Sequence, residues 1–186
     1  MLAVVTDEMI EERRRLGLDR RDEMWDGVLH LVPVASSAHG ILWYELTCLF
    51  APKAHDQGLR CMAAPGVFDP QDADMVNFRV PDLGYARSED VTERGIEGRA
   101  VLVVEVLSTC DEAHDKLPFY RQVGVEELLY VDSTTKAFEV RRPEGKGWAL
   151  VDADDDGWTW LASLGAALCL VDGRLQVRTP LGIEEV

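Results

Sequence analysis

The sequence predicts an α/β (α+β) fold, a β-sheet with helices packed on it and additional short antiparallel strands towards the C-terminus. Three observations predict it. A short, β-branched apolar run from Ala100 to Ser108, AVLVVEVLS, reads as a central strand with both faces covered. Segments with helix start and stop signals lie on both sides of that run. Alternating apolar stretches, punctuated by Gly, Pro and an Asp-Gly pair, fill much of the remainder.

In chain order, the first helix runs from Thr6 as N-cap to Leu16 and is closed by Gly17. Acids in its first turn and Arg13 to Arg15 in its last suit the helix dipole. Met24 to Val32 is a hairpin, because Asp26-Gly27 between alternating apolar positions supplies the positive φ angles of a tight turn. Ser36 or Ser37 caps a second helix through Ile41, Leu42, Leu46 and Leu49, ending before or kinking at Pro52. Strands follow near Leu59 to Val67 and Met75 to Val80, then the strand carrying Asp82, then the Glu105 strand. Asp115 caps a short helix holding Lys116, Phe119, Tyr120 and Val123, closed by Gly124, with Pro118 tolerated in the first turn. Leu128 to Val131 and Ala137 to Arg142 are strands joined by the turn at 132–136, and short strands or a meander complete the chain.

The 186 residues fit one domain, 1–186, large enough to bury a core without disulfides. Cys48, Cys61, Cys110 and Cys169 are too far apart for CxxC pairs and read as reduced, mostly buried cysteines of a cytoplasmic protein. The start, MLAVVTDEM, lacks the basic flank and apolar length of a signal peptide, and no stretch approaches ~18 apolar residues, so no membrane span is expected. A net charge of −15 argues against loose binding to phosphate backbones. The acidity is spread, but it is weakest over 76–121.

Within that stretch Glu105 stands alone in the apolar run, and Asp82 follows Val80-Pro81 in VPDLGYAR. An ionised carboxylate inside a buried strand is unfavourable unless something pairs with it or coordinates it. A divalent cation would answer that cost for both acids. Two carboxylates on neighbouring strands, with Lys116 at the start of the next helix, suit metal-assisted phosphodiester hydrolysis. Asp82 and Glu105 would hold Mg²⁺ or Mn²⁺ through oxygen, and the Lys116 ammonium would position the nucleophile or stabilise the transition state.

Six motifs stand in order: MWDGVLHLVP, SSAH, VPDLGYAR, VVEVLS, KLPFY and GVEELLYVD. Over roughly Glu23 to Val140 they resemble the Uma-two family of restriction endonucleases, within the PD-(D/E)XK nuclease superfamily. The resemblance implies a restriction-endonuclease-like mixed sheet flanked by helices, a divalent metal at Asp82 and Glu105, and a catalytic lysine. The superfamily lysine stands two residues beyond the acid, where this chain has Leu107; the resemblance places it instead on Lys116. The link STCDEAHD is shorter than its family counterpart, and Glu112 stands where the family often has an acid four residues before the lysine.

Other readings stand beside these. Pro81-Asp82 can start a strand or cap a turn. Glu105 can pair with a buried Arg79 or Arg99, and Lys116 can be a solvated surface residue. His39 resembles the family's helix-start histidine but can serve as a cap or packing group, and Glu45 can reach the metal or face solvent. Trp25, Trp43, Trp148, Trp158 and Trp160 read as core and edge packing, not as base-stacking platforms. His55 and His114 lack partners at zinc spacing. No GxxxxGK[ST], GxGxxG or GxSxG occurs. The expected function is a Mg²⁺-dependent endonuclease acting on DNA, as a homodimer with two cooperating sites. The alternative is a non-enzymatic nuclease-fold module for interaction or regulation.

Overall fold

The computed structural model describes residues 6–72, 76–108 and 112–186. Helix α1 (Asp7–Leu16) begins where Thr6 accepts a hydrogen bond from the Met9 N–H and stops at Gly17, which takes φ 66°. None of its residues is buried; Arg13 ties it down by donating from Nε to Asp22 at 2.8 Å. A 3-10 turn (Asp19–Arg21) leads into the hairpin of β1 (Glu23–Trp25) and β2 (Val28–His30). Asp26 and Gly27 both have positive φ, 49° and 83°, as the tight turn requires.

Helix α2 (Ser37–Asp56) is capped by Ser36, whose Oγ accepts from the His39 N–H at 3.2 Å. It does not end at Pro52 but continues to Asp56. Proline there removes one intrahelical bond, whereas Leu49, Phe50 and Ala54 on either side of it are buried in the core. Packing outweighs the missing bond. The expected strand from Leu59 to Val67 divides into β3 (Arg60–Ala63) and β4 (Val67–Phe68), which join different sheets. Ala64 breaks it by taking φ 46°. Strand β5 (Phe78–Arg79) is shorter than expected, and Met75, its expected start, lies outside the described residues.

Strands β6 (Leu83–Ala86) and β7 (Ala100–Leu107) follow, then a second 3-10 turn (Ala113–Lys116) running into α3 (Leu117–Gln122). Asp115 is therefore not the helix cap; it sits within the 3-10 turn, and no side chain caps α3. Strands β8 (Leu128–Asp132), β9 (Phe138–Glu144) and β10 (Gly147–Leu150) complete the central sheet, and β11 (Thr159–Leu161), β12 (Ala166–Val171), β13 (Arg174–Thr179) and β14 (Gly182–Glu185) form a meander.

The central sheet has the order β10-β9-β8-β7-β6-β3 and is mixed: β7 and β8 are parallel, and the other neighbours are antiparallel. A smaller sheet, β2-β1-β5-β4, carries the hairpin. Seven of the eight β7 residues are buried. Leu102, Val104 and Val106 share a core cluster with Leu42, Leu46, Leu49 and Phe50 of α2, while Val103 packs in a second cluster with Phe119 and Tyr120 of α3. Alternation then sends Glu105 to the α3 side. The α2 cluster also takes in Leu161, Leu168, Leu175 and Val177 of the meander. A buried pin reinforces that join: Glu127 bonds Arg142 Nε at 2.8 Å, the Ser163 N–H at 2.9 Å and Ser163 Oγ at 2.6 Å.

Cys61 and Cys169 are half-buried and Cys48 is exposed, so these free thiols are less buried than expected; Cys110 lies outside the described residues. Among the described residues, no helix is long and apolar enough to cross a membrane.

Candidate active site

Asp82 is the residue before β6, and the register Leu83 to Val104 continues to set it opposite Glu105. Both are buried, at 4% and 5% exposure. Asp82 Oδ2 accepts the Val106 N–H at 2.8 Å, so its carboxylate is fastened to the peptide that follows Glu105. On the α2 side, Asp82 Oδ1 is shared by His39 Nε2, at 2.9 Å, and by the Arg21 guanidinium. The other His39 nitrogen, Nδ1, lies 3.2 Å from Ser108 Oγ. Trp43 on the next turn of α2 donates from Nε1 to the Asp82 carbonyl at 3.0 Å.

Glu105 is held from the α3 side. Lys116 Nζ lies 3.0 Å from its Oε1, and the Tyr120 hydroxyl donates to the same oxygen at 2.6 Å. Lys116, 8% exposed, is a buried residue and not a solvated one. It reaches the acid from the end of the 3-10 turn, whereas Leu107 stands at the position two beyond Glu105. The same ammonium lies 2.9 Å from Glu23 Oε1 of β1. Glu23, only 2% exposed, also accepts the Val80 N–H at 2.8 Å and Trp25 Nε1 at 2.7 Å. Lys116 thus joins the hairpin sheet to the central sheet through two buried carboxylates.

These contacts set the protonation states. Burial pushes the Glu105 carboxyl up to about 7; the Lys116 ammonium opposes this, and the nearby charges of Asp82 and Glu23 add to it. Lys116 moves up from its ordinary value: burial alone would lower it, but Glu105 and Glu23 outweigh burial. Asp82 is held below the ordinary carboxylate value, since His39, Arg21 and the Val106 N–H together outweigh its burial. Asp82 is therefore an anion at neutral pH, and Glu105 is poised between forms.

The structure brings His39 onto Asp82 and Lys116 onto Glu105, and the Val106 N–H and the electrostatic effect of Asp82 on Glu105 link the two pairs. Glu45, half-buried on α2, makes none of these contacts. Glu112 is exposed and pairs with His30 Nδ1 at 3.1 Å instead of facing Glu105. Thr109 to Asp111, in the link between β7 and the second 3-10 turn, lie outside the described residues. Neither arginine weighed as a partner for Glu105 fills that role. Arg79 is buried between the rings of Trp25 and Phe119, 4.3 Å from each, and donates to the Met24 carbonyl at 2.8 Å. Sequence reasoning missed Glu23 and Arg21. The only local cue is the run Arg20-Arg21-Asp22-Glu23 beside the hairpin, where opposite charges crowd the entry to an apolar strand.

Among the described residues, no three His, Cys, Asp or Glu side chains are grouped as a metal cage. Two clefts of the surface lie elsewhere. One is bordered by Leu59, Arg87, Glu126 and Arg142, near the start of β7, and the other by Asp69, Arg99 and Gln122.

A family model described as "Putative restriction endonuclease", Uma2, matches residues 9–180. No curated protein matches the sequence. Among solved structures, the chain is similar to a protein described as a "putative nuclease belonging to DUF820" from Anabaena variabilis ATCC 29413. The TM-score is 0.61 at 14% identity, over 77% of this chain and 82% of that one. At that identity the likeness is one of fold.

Proposed function

The chain belongs to the Uma2 family, described as "Putative restriction endonuclease", and on that premise we propose that it is a divalent-metal-dependent endonuclease that hydrolyses DNA phosphodiester bonds. Asp82 and Glu105 would hold Mg²⁺ or Mn²⁺, and Lys116 would be the catalytic ammonium. The observation that carries this reading is the position of Lys116 Nζ, 3.0 Å from Glu105 Oε1, in a chain whose residue two beyond the acid is leucine.

The donor set fits the ion. Mg²⁺ and Mn²⁺ take hard oxygen ligands, and Mg²⁺ is commonly held by one or two carboxylates with water and substrate phosphate completing the shell. Asp82 and Glu105 lie across neighbouring strands, and the charge of each disfavours that of the other, a repulsion that a bound cation relieves. When bound, the ion would lower the pKa of a water and offset charge developing on the phosphate. The protein's own groups have distinct tasks. His39 and the Val106 N–H orient Asp82, Tyr120 orients Glu105 by donating a hydrogen bond from its hydroxyl, and Glu23 holds the far side of the ammonium. Lys116, kept protonated by its two carboxylates, can stabilise negative charge on the phosphate or align a water.

We also infer a single endonuclease-like domain over 1–186, supported by the core cluster that unites α2, the central sheet and the meander. A homodimer would give the small acidic chain two cooperating sites and a longer grip on a duplex. One observation favours a second reading, a nuclease-fold interaction module: Asp82, Glu105 and Lys116 are all buried. Incubation with duplex, single-stranded and branched DNA in Mg²⁺ or Mn²⁺, with EDTA controls, separates the two. Metal-dependent cleavage supports the enzyme; its absence from freshly purified protein on all three substrates supports the module.

A further inference from the structure

Arg21 and His39 compete for one oxygen, Asp82 Oδ1, while Oδ2 is fastened to the Val106 N–H. The two donors are anchored differently. His39 is buried on a long helix, with its second nitrogen at Ser108. Arg21 comes from a three-residue 3-10 turn, and its side chain is 30% exposed against 5% for Asp82. Its guanidinium lies 5.4 Å from the centre of the Trp43 ring, and its Nε is buried with no hydrogen-bond partner among the described residues.

Resting on the reading of Asp82 as a metal-holding carboxylate, we propose that Arg21 is an exchangeable cation. It neutralises Asp82 in the metal-free protein, gives up Oδ1 on metal loading, and then grips a phosphate of the DNA. A buried carboxylate cannot stand uncompensated, which accounts for a guanidinium there before loading. Once Asp82 holds a divalent ion, the adjacent guanidinium is repelled and needs a new anion. The planar fork of arginine matches phosphate in a bidentate fashion, and such a grip gives the orphaned Nε a partner. Trp43 supplies a face against which the guanidinium can turn. In a chain of net charge −15, gripping phosphate depends on cations at the site itself and not on a broad basic surface.

The test uses binding, not turnover. Calorimetry measures Mn²⁺ binding to wild type, Arg21→Ala and Arg21→Lys without DNA. Fluorescence anisotropy measures binding of a labelled duplex in Ca²⁺, and circular dichroism checks that each variant is folded. Arg21→Ala should bind Mn²⁺ about tenfold tighter, since a contacting positive charge is gone, and should bind duplex about tenfold or more weaker. Arg21→Lys, which keeps the charge but lacks the fork, should restore wild-type Mn²⁺ affinity without restoring duplex affinity. Mn²⁺ affinity unchanged or weakened in Arg21→Ala, or undiminished duplex affinity in both variants, overturns the exchange while leaving the metal site standing. If Arg21→Ala does not fold, Arg21→Lys decides alone, and wild-type duplex affinity in it overturns the proposal. A wild type that binds no Mn²⁺ overturns the metal reading beneath it and this proposal together.

Discussion

Lys116 Nζ stands 3.0 Å from Glu105 Oε1 across 11 positions of sequence, and the same nitrogen stands 2.9 Å from Glu23 Oε1. A lysine that begins a short helix thus takes up the place beside the strand acid, and β1 supplies the second carboxylate that keeps it there. The arrangement is electrostatically loaded. Three buried carboxylates, Glu23, Asp82 and Glu105, face the cations of Lys116 and Arg21, and the His39 ring bonds Asp82.

Glu105→Gln should be as stable as wild type, or more so, at pH 8 in EDTA. Burial raises the Glu105 carboxyl to about 7 from an ordinary 4.5. A folded-state pKa above the unfolded one means that its contribution is fully present below about 4.5 and is lost as pH rises through about 7. Glutamine mimics the protonated form, so the advantage of the variant should shrink between pH 8 and pH 5. Thermal melts at the two pH values read this directly. A loss of roughly 3 to 5 kcal/mol at pH 8 would instead make Glu105 an indispensable ion-pair partner.

Lys116→Met should destabilise the protein by about 3 to 5 kcal/mol at neutral pH, because it strands Glu23 and Glu105 together without their shared cation. Adding Glu105→Gln should recover part of that loss. Urea denaturation of the two single variants and the double variant gives the coupling. Simple additivity would contradict the shared-cation geometry.

How much of this was legible in the sequence depends on how far each residue's partners lie. The caps of α1, the Asp26-Gly27 turn and the covered strand β7 rest on neighbours a few residues away, and all stand as the sequence predicts. That Lys116 belongs beside Glu105 was implied by the family resemblance, against the reading of a solvated lysine, and the contact is present. Glu23 and Arg21 were not legible, because their partners are remote: Glu23 meets Val80 across 57 positions, and Arg21 meets Asp82 across 61. At Pro52 the sequence left an end or a kink open, and core packing decided that α2 continues; the break at Ala64 was set by a left-handed residue that is not glycine and leaves no local signature.

Asp82→Asn should weaken Mn²⁺ binding in calorimetry and shift acid unfolding. Asp82 is depressed below its ordinary 3.8, so it contributes stability above that value and loses it as pH falls further. The variant, lacking this carboxylate, should be less stable than wild type at pH 7, and the gap should close towards pH 3. Unchanged Mn²⁺ affinity would leave the Asp82 cluster structural.

Glu127→Ala should cost about 1 to 3 kcal/mol, since it leaves the Ser163 amide and hydroxyl without their acceptor and removes one bond to Arg142 at the join between the central sheet and the meander. Wild type should unfold in one transition by far-UV circular dichroism and tryptophan fluorescence alike, as a single domain requires. Two separated transitions would divide the chain.

The most direct measurement of the central claim is the rate of DNA cleavage in Mn²⁺ by wild type and Lys116→Ala, with Mn²⁺ binding followed on the same preparations. Wild type should cleave in low salt and stop in EDTA. Lys116→Ala, checked by circular dichroism to be folded, should still bind Mn²⁺ yet cleave about a hundredfold slower or more, as expected when a charge acting on the transition state is removed. Equal rates for the two proteins, or cleavage that survives EDTA, would contradict a metal centre built from Asp82 and Glu105 with Lys116 as its ammonium.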